Sequence, residues 1–181
     1  SDMPAHVASL RGHVKLLQAL VAAKASTDQP SIDGETPAVL AVMVGYHKVL
    51  RWLLQAKASV DAAENVCPAV MRASRHGNWL AIRVLVRAHA DVLDVQGLSP
   101  CCPPAALGHE LALFELIRAG VEVDKCDPSG ATPPCLSAQE GERGTMATLI
   151  LSKANFKKAD EKNNSPIHHA VSGGHAAIVR L

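Results

Sequence analysis

The chain has few aromatic residues, no excess of either charge, no CxxC pair and no apolar run long enough to cross a bilayer. Each shortage excludes something. Aromatics make up 3% of the 181 residues while hydrophobic residues make up 48%, so alanine, leucine and valine supply most of the apolar mass. Small side chains let helices approach closely, which favours stacked helices over a sheet built from β-branched and aromatic residues. The formal charge is +1, with Lys and Arg scattered among acids along the sequence. No basic stripe of the kind a nucleic-acid binder carries is visible, so nucleic acid is not the expected partner. No apolar run reaches the roughly 18 residues of a membrane span, and no charged start leads into an apolar signal core. An intracellular chain, cytoplasmic or nuclear and without direct membrane insertion, is expected. The five cysteines (Cys67, Cys101, Cys102, Cys126, Cys135) are an odd number, which reads as reduced thiols rather than a disulfide frame. G-x-S-x-G, P-loop, H-E-x-x-H and Rossmann glycine patterns are all missing. No catalytic residue, cofactor or metal is therefore expected.

What the chain does contain is a ruler of glycines. Gly12, Gly45, Gly77, Gly108, Gly141 and Gly174 lie 33, 32, 31, 33 and 33 residues apart. After each of the first five comes an apolar pair: Leu20-Val21, Leu53-Leu54, Leu85-Val86, Leu116-Ile117 and Leu149-Ile150. Small residues follow at Ala25, Ala58, Ala90, Val121 and Ala154, and Pro4, Pro37, Ala69, Pro100, Pro133 and Pro166 precede the glycines. A period near 33 marks a solenoid of supersecondary units. Six are expected, at about 3–34, 35–66, 67–97, 98–130, 131–163 and 164–181, together forming one domain over 1–181.

Within a unit, Thr36 can cap a helix and Pro37 suits its first position, where a missing N–H costs nothing. Ser99-Pro100, Thr132-Pro133 and Ser165-Pro166 repeat that signal. The short helix should end at the ruler glycine in a left-handed conformation. A second helix then carries Val49, Leu50, Leu53 and Leu54 at one-faced spacing. "IDG" at 32–34 and "DPSG" at 127–130 are turn chemistry.

This pattern resembles the ankyrin repeat, whose signature runs T-P-L-H-x-A, G-H, an apolar pair, G-A and a D-G turn. "SPIHHAVSGGHAAIV" from Ser165 is the closest match; "MPAHVASLRGHVKLLQALVAAKA" from Met3 and "TPAVLAVMVGYHKVLRWLLQAKA" from Thr36 follow it. The resemblance implies an all-α ankyrin-type solenoid of stacked helix-turn-helix units with short projecting turns or β-hairpins. It also implies structural roles for five histidines. His6 and His168 fall on the T-P-L-H histidine, which ties adjacent loops, and His13, His109 and His175 fall on the G-H position. Cys102 and Cys135 stand where that pattern has its loop-tying histidine, while Cys101 takes its core leucine. Buried thiols are expected there.

The pattern bends in the middle. Connections into units three and four are one and two residues short, so the turn holding Leu93, Asp94, Val95 and Gln96 should project less. In "SPCCPPAALGH", a helix capped by Ser99 would hold Pro103 and Pro104 at its fourth and fifth positions, at up to about 3 kcal/mol each. A shortened helix starting nearer Pro103, and a looser stack around units three and four, are expected. The sequence also stops at Leu181 inside the second helix of unit six, which suggests a segment of a longer protein, since terminal repeats normally carry a polar outer face.

The resemblance further implies a concave face of turns and first helices that contacts a partner. The two positions before each ruler glycine should be exposed on it: Leu10-Arg11, Met43-Val44, Arg75-His76, Ala106-Leu107, Gln139-Glu140 and Ser172-Gly173. Apolar side chains there are not needed by the stack, and exposed apolar surface tends to mark interaction sites. The expected function is a non-catalytic protein-interaction module, an adaptor or scaffold that is monomeric as a domain and binds a protein or peptide. The alternative is a regulatory or substrate-docking segment of a larger enzyme or channel.

Overall fold

The computed structural model describes residues 3–60, 68–88 and 99–181, and every element in them is helical or a turn. In chain order the helices are α1 (Pro4–Leu10), α2 (Val14–Ala22), α3 (Pro37–Val44), α4 (His47–Gln55), α5 (Ala69–Arg75), α6 (Trp79–Arg87), α7 (Cys102–Ala106), α8 (Glu110–Arg118), α9 (Pro133–Glu140), α10 (Arg143–Leu151), α11 (Pro166–Ser172) and α12 (Ala176–Val179). They fall into two compact units. One comprises Ser1–Ala73 with Leu80–Asp91, the other Ser74–Trp79 with Val92–Leu181.

In the first unit α1 packs beside α3 and α2 beside α4, and each first helix also packs on its own second helix. The second unit repeats the design, with α7, α9 and α11 in one row, and α8 contacting α10 and α10 contacting α12 in the other. The two rows of helix pairs expected from the repeat are thus present in each unit.

Side-chain size explains the rows. From Pro37 to Val42, α3 is buried on every side, and its alanines let both neighbours approach. Helix α4 buries Val49, Leu50 and Leu53 while Lys48, Arg51 and Gln55 are exposed, the one-sided pattern of an outer helix. In the second unit Leu113, Leu116 and Leu149 are fully buried on the second helices. Complete burial of one such side chain is worth about 1.5–3 kcal/mol.

The start signals operate as read. Thr36 and Thr132 cap α3 and α9, each accepting from the backbone N–H three residues on at 3.4 Å. Five of the six first helices begin at the proline or alanine eight residues before the ruler glycine. The exception is α7. It has five residues and begins at Cys102, which places Pro103 and Pro104 within its first turn. There their missing N–H groups would have had no intrahelical partner, so the cost of mid-helix prolines is avoided. Ser99 does not cap the helix; its hydroxyl accepts from the Cys101 N–H at 3.2 Å in the turn ahead. The shortening expected of unit four is real, while the shortened turn at Leu93–Gln96 lies outside the described residues.

Among the described residues, the connections between repeats are turns, with no β-hairpin. Asp127 Oδ1 accepts from the Ser129 and Ala131 N–H groups, both at 2.9 Å, and Asp160 Oδ1 does the same for Lys162 and Asn164. Carboxylates also link successive repeats. Asp28 accepts from the Ser59 N–H and Asp124 from the Asn155 N–H, each at 2.7 Å.

Candidate functional site

The ruler glycines set where each first helix stops and what meets it there. All six have positive φ, between 66° and 87°. The repeat adds a second requirement, because the residue opening the next second helix lies against the glycine. A Cβ on Gly141 would sit 2.5 Å from His175 Nδ1, and one on Gly77 would sit 2.8 Å from the His109 ring. Tyr46 covers Gly12 and Glu142 covers Gly108 in the same way. His175 Nε2 also donates to the Gln139 carbonyl at 2.9 Å. His109 and His175 therefore act as packing and tying groups, as the repeat resemblance implied.

In the first unit the ends of α1 and α3 present Leu10 and Val44, 39% and 47% exposed, with Arg11 exposed beside Leu10. Met43 differs. It is half-buried, and Arg72 Nη1 approaches its Sδ at 3.3 Å. The same guanidinium pairs with Glu35. Glu35 in turn accepts from His6 Nε2 on its carbonyl at 3.0 Å, and its N–H donates to Ser31 Oγ. Glu35 thus joins three successive repeats, and Met43 belongs partly to that joint rather than to a free surface.

In the second unit Arg75, His76, Leu107, Gln139 and Glu140 are exposed, Leu107 by 54%. Ala106 is half-buried. The Gln139 side chain donates to Glu140 at 3.1 Å, so these two act together. Ser172 and Gly173 are exposed at the end of α11.

Sequence reasoning missed two features of the second unit. One is an apolar hollow of about 540 Å³ lined by Met146, Ile150, Phe156, Pro166, Ile178 and Leu181. The other is the pair of His169 Nε2 with Asp160 Oδ2 at 3.0 Å, which closes a turn onto α11. Asp160 sits below the ordinary carboxylate range, held there first by the Asn164 N–H and then by His169.

The four described cysteines are free thiols. Burial pushes Cys101 up to about 12. Burial, with the Asp127 carboxylate next, raises Cys102 well above its ordinary value. A thiol so disfavoured as thiolate is a poor nucleophile and ligand. Cys135 points its sulfur at the Lys158 and Asn164 carbonyls, 3.7 and 3.9 Å away, doing weakly between loops what His6 does strongly. Among the described residues there is no group of three or more His, Cys, Asp or Glu that could hold a metal, and no helix long and apolar enough to cross a membrane.

Comparison with known proteins agrees with this architecture. The family model described as ankyrin repeats (3 copies) matches residues 4–96 and 105–181. The ankyrin repeat protein nuc-2 of Neurospora crassa is 26% identical over 184 residues, covering 99% of this chain; the chain spans 17% of that relative's length. Two crystal structures share the fold. An ankyrin repeat domain from Acinetobacter baumannii AYE superposes with a TM-score of 0.85 at 24% identity, covering 98% of this chain and 94% of its own. The human ASB11 ankyrin repeat domain superposes with a TM-score of 0.89 at 20% identity, covering 99% and 81%. Ankyrin repeats are generally protein–protein interaction modules and typically non-catalytic. With the helix rows, the left-handed glycines and the matched spans all in agreement, this chain belongs to the ankyrin repeat family.

Proposed function

We propose that the chain is a non-catalytic adaptor or scaffold, one repeat domain over 1–181, that holds a protein or peptide against the turns and the ends of its first helices. Leu10, Arg11, Val44, Arg75, His76, Leu107, Gln139 and Glu140 contact the partner, with Met43 and Ala106 at the margin. One observation carries the reading. Leu10, two residues before its ruler glycine, and Val44 and Leu107, each one residue before theirs, are 39%, 47% and 54% exposed, where the stack does not need apolar side chains. The partner is accordingly expected to bring apolar side chains to α1 and α3 and an acid to Arg75. An intracellular setting, cytoplasmic or nuclear, and a monomeric domain complete the proposal. A stack is suited to such work because its surface is ordered before binding.

The test compares proteins captured by the native chain with those captured by a Leu10→Asp, Val44→Asp, Leu107→Asp variant whose helical signal and unfolding midpoint are unchanged. The variant should lose a defined subset. An identical catch would remove the proposal. A second reading, a regulatory or substrate-docking segment of a larger enzyme or channel, is favoured by the small share of the Neurospora relative that the chain spans. A catalytic or channel region elsewhere in the full-length polypeptide would decide for it.

A further inference from the structure

The cations of the first unit are not distributed like those of the whole chain. Helix α2 with its following turn carries Lys15 and Lys24; α4 with its turn carries Lys48, Arg51 and Lys57. Neither segment, from His13 to Ala25 or from Tyr46 to Ala58, contains a single acid. All five cations are exposed, and none forms an ion pair among the described residues. Lys15 and Lys48 occupy the same place one repeat apart, three residues after Gly12 and Gly45. Lys24 and Lys57 do so at the far ends, twelve residues after those glycines. Because α2 packs beside α4, cations that lie 33 residues apart in sequence become neighbours, about one helix spacing of 8–10 Å apart. The second unit does not repeat that acid-free pattern: α8 opens with the exposed Glu110 and pairs Arg118 with Glu115, and Glu142 stands directly ahead of α10.

Lys24 and Lys57 hold φ near +60°, as Lys153 does at the matching place in the second unit, so this conformation belongs to the repeat turn, where an L-residue pays about 1–2 kcal/mol that glycine does not. The adjacent helix C-terminus favours a cation and offsets part of that cost.

The geometry points to a second docking surface, formed by the outer faces of α2 and α4, for an acidic polypeptide segment bearing occasional apolar residues. Four of the five cations are lysines, which lack the planar fork that makes arginine the preferred partner of phosphate. Leu16 on α2, 47% exposed, lies among them and offers a contact that a nucleic-acid backbone would not use. The surface is distinct from the first-helix ends and does not depend on their role.

The probe is a labelled acidic peptide of roughly four helical turns of glutamate with interspersed leucine. It is titrated against the full chain by fluorescence anisotropy over a range of salt. Binding should weaken as salt rises, and a Lys15→Glu, Lys48→Glu, Lys57→Glu variant should bind about tenfold or more weakly. An Arg143→Glu, Arg180→Glu variant in the second unit should bind normally. The Leu10→Asp, Val44→Asp, Leu107→Asp variant should also bind the peptide normally, so this proposal and the adaptor reading stand or fall separately. No binding, equal binding by the lysine variant, or preference for duplex DNA or phosphatidylserine vesicles over the peptide would each overturn it.

Discussion

Replacing Met3 with serine should stabilise the chain, because the first repeat lacks a group that the sixth possesses. In the sixth repeat the Ser165 N–H donates to His168 Nδ1 at 3.2 Å and the Ser165 hydroxyl lies 2.8 Å from the same atom. In the first, Met3 takes the place of Ser165 and α1 has no side-chain cap. His6 Nε2 faces the Glu35 carbonyl, so Nε2 must carry the proton and Nδ1 is an acceptor in the neutral ring. That Nδ1 is buried and finds no partner among the described residues. Met3 already has the extended φ and ψ of a cap, −68° and 145°, so a serine hydroxyl can be supplied without moving the backbone. A new N-cap is worth about 1 kcal/mol, and a partner for the orphaned nitrogen about another 1 kcal/mol. Loss of the partly buried methionine removes some of that, leaving a net gain of about 1 kcal/mol. Urea unfolding of the native chain, Met3→Ser, His6→Ala and the double variant forms a cycle that isolates the new bond. A coupling of about 1 kcal/mol is expected. Zero coupling, or a less stable Met3→Ser chain, would refute the reasoning.

Three further outcomes follow from named contacts. Gly141→Ala should cost about 2–3 kcal/mol in urea unfolding, from left-handed backbone strain plus a displaced His175, whereas Gly120→Ala should cost only the strain of about 1–2 kcal/mol, since nothing lies within 4 Å of a Cβ there; equal costs would discredit the packing role of His175. Cys126, half-buried, should react with a thiol reagent at mildly alkaline pH well before Cys101, Cys102 or Cys135, as peptide mapping would show, and early labelling of Cys102 would contradict its burial. The Asp160 carboxyl is lowered in the folded chain, so its contribution is complete above the ordinary carboxylate value and is lost as pH falls through the folded one. Acid titration followed at α11 amides should show that loss, and Asp160→Asn should flatten it.

Much of the fold was legible because the repeat states the same local chemistry several times. Thr36-Pro37, Thr132-Pro133 and Ser165-Pro166 fix helix starts, and the glycines fix helix ends. Even the departure in unit four could be anticipated, since Pro103 and Pro104 are tolerated only in a first turn. Less legible were relationships between repeats that depend on which row a residue joins. Met43 was expected on an exposed face, but Arg72 reaches it across 29 residues while pairing with Glu35; no local signal marks that contact. The lysines of α2 and α4 looked scattered among acids, and only the pairing of the two helices gathers them. Asp160 drew no expectation from the sequence, and its bond to His169 required the turn to fold back on α11.

The most direct measurement is hydrogen exchange on the native chain with and without the partner that the Leu10, Val44 and Leu107 variant fails to capture. Binding should slow exchange at the ends of α1, α3, α7 and α9, around Leu10, Val44, Leu107 and Glu140. A bound partner that leaves those amides exchanging at their free rates would contradict the account.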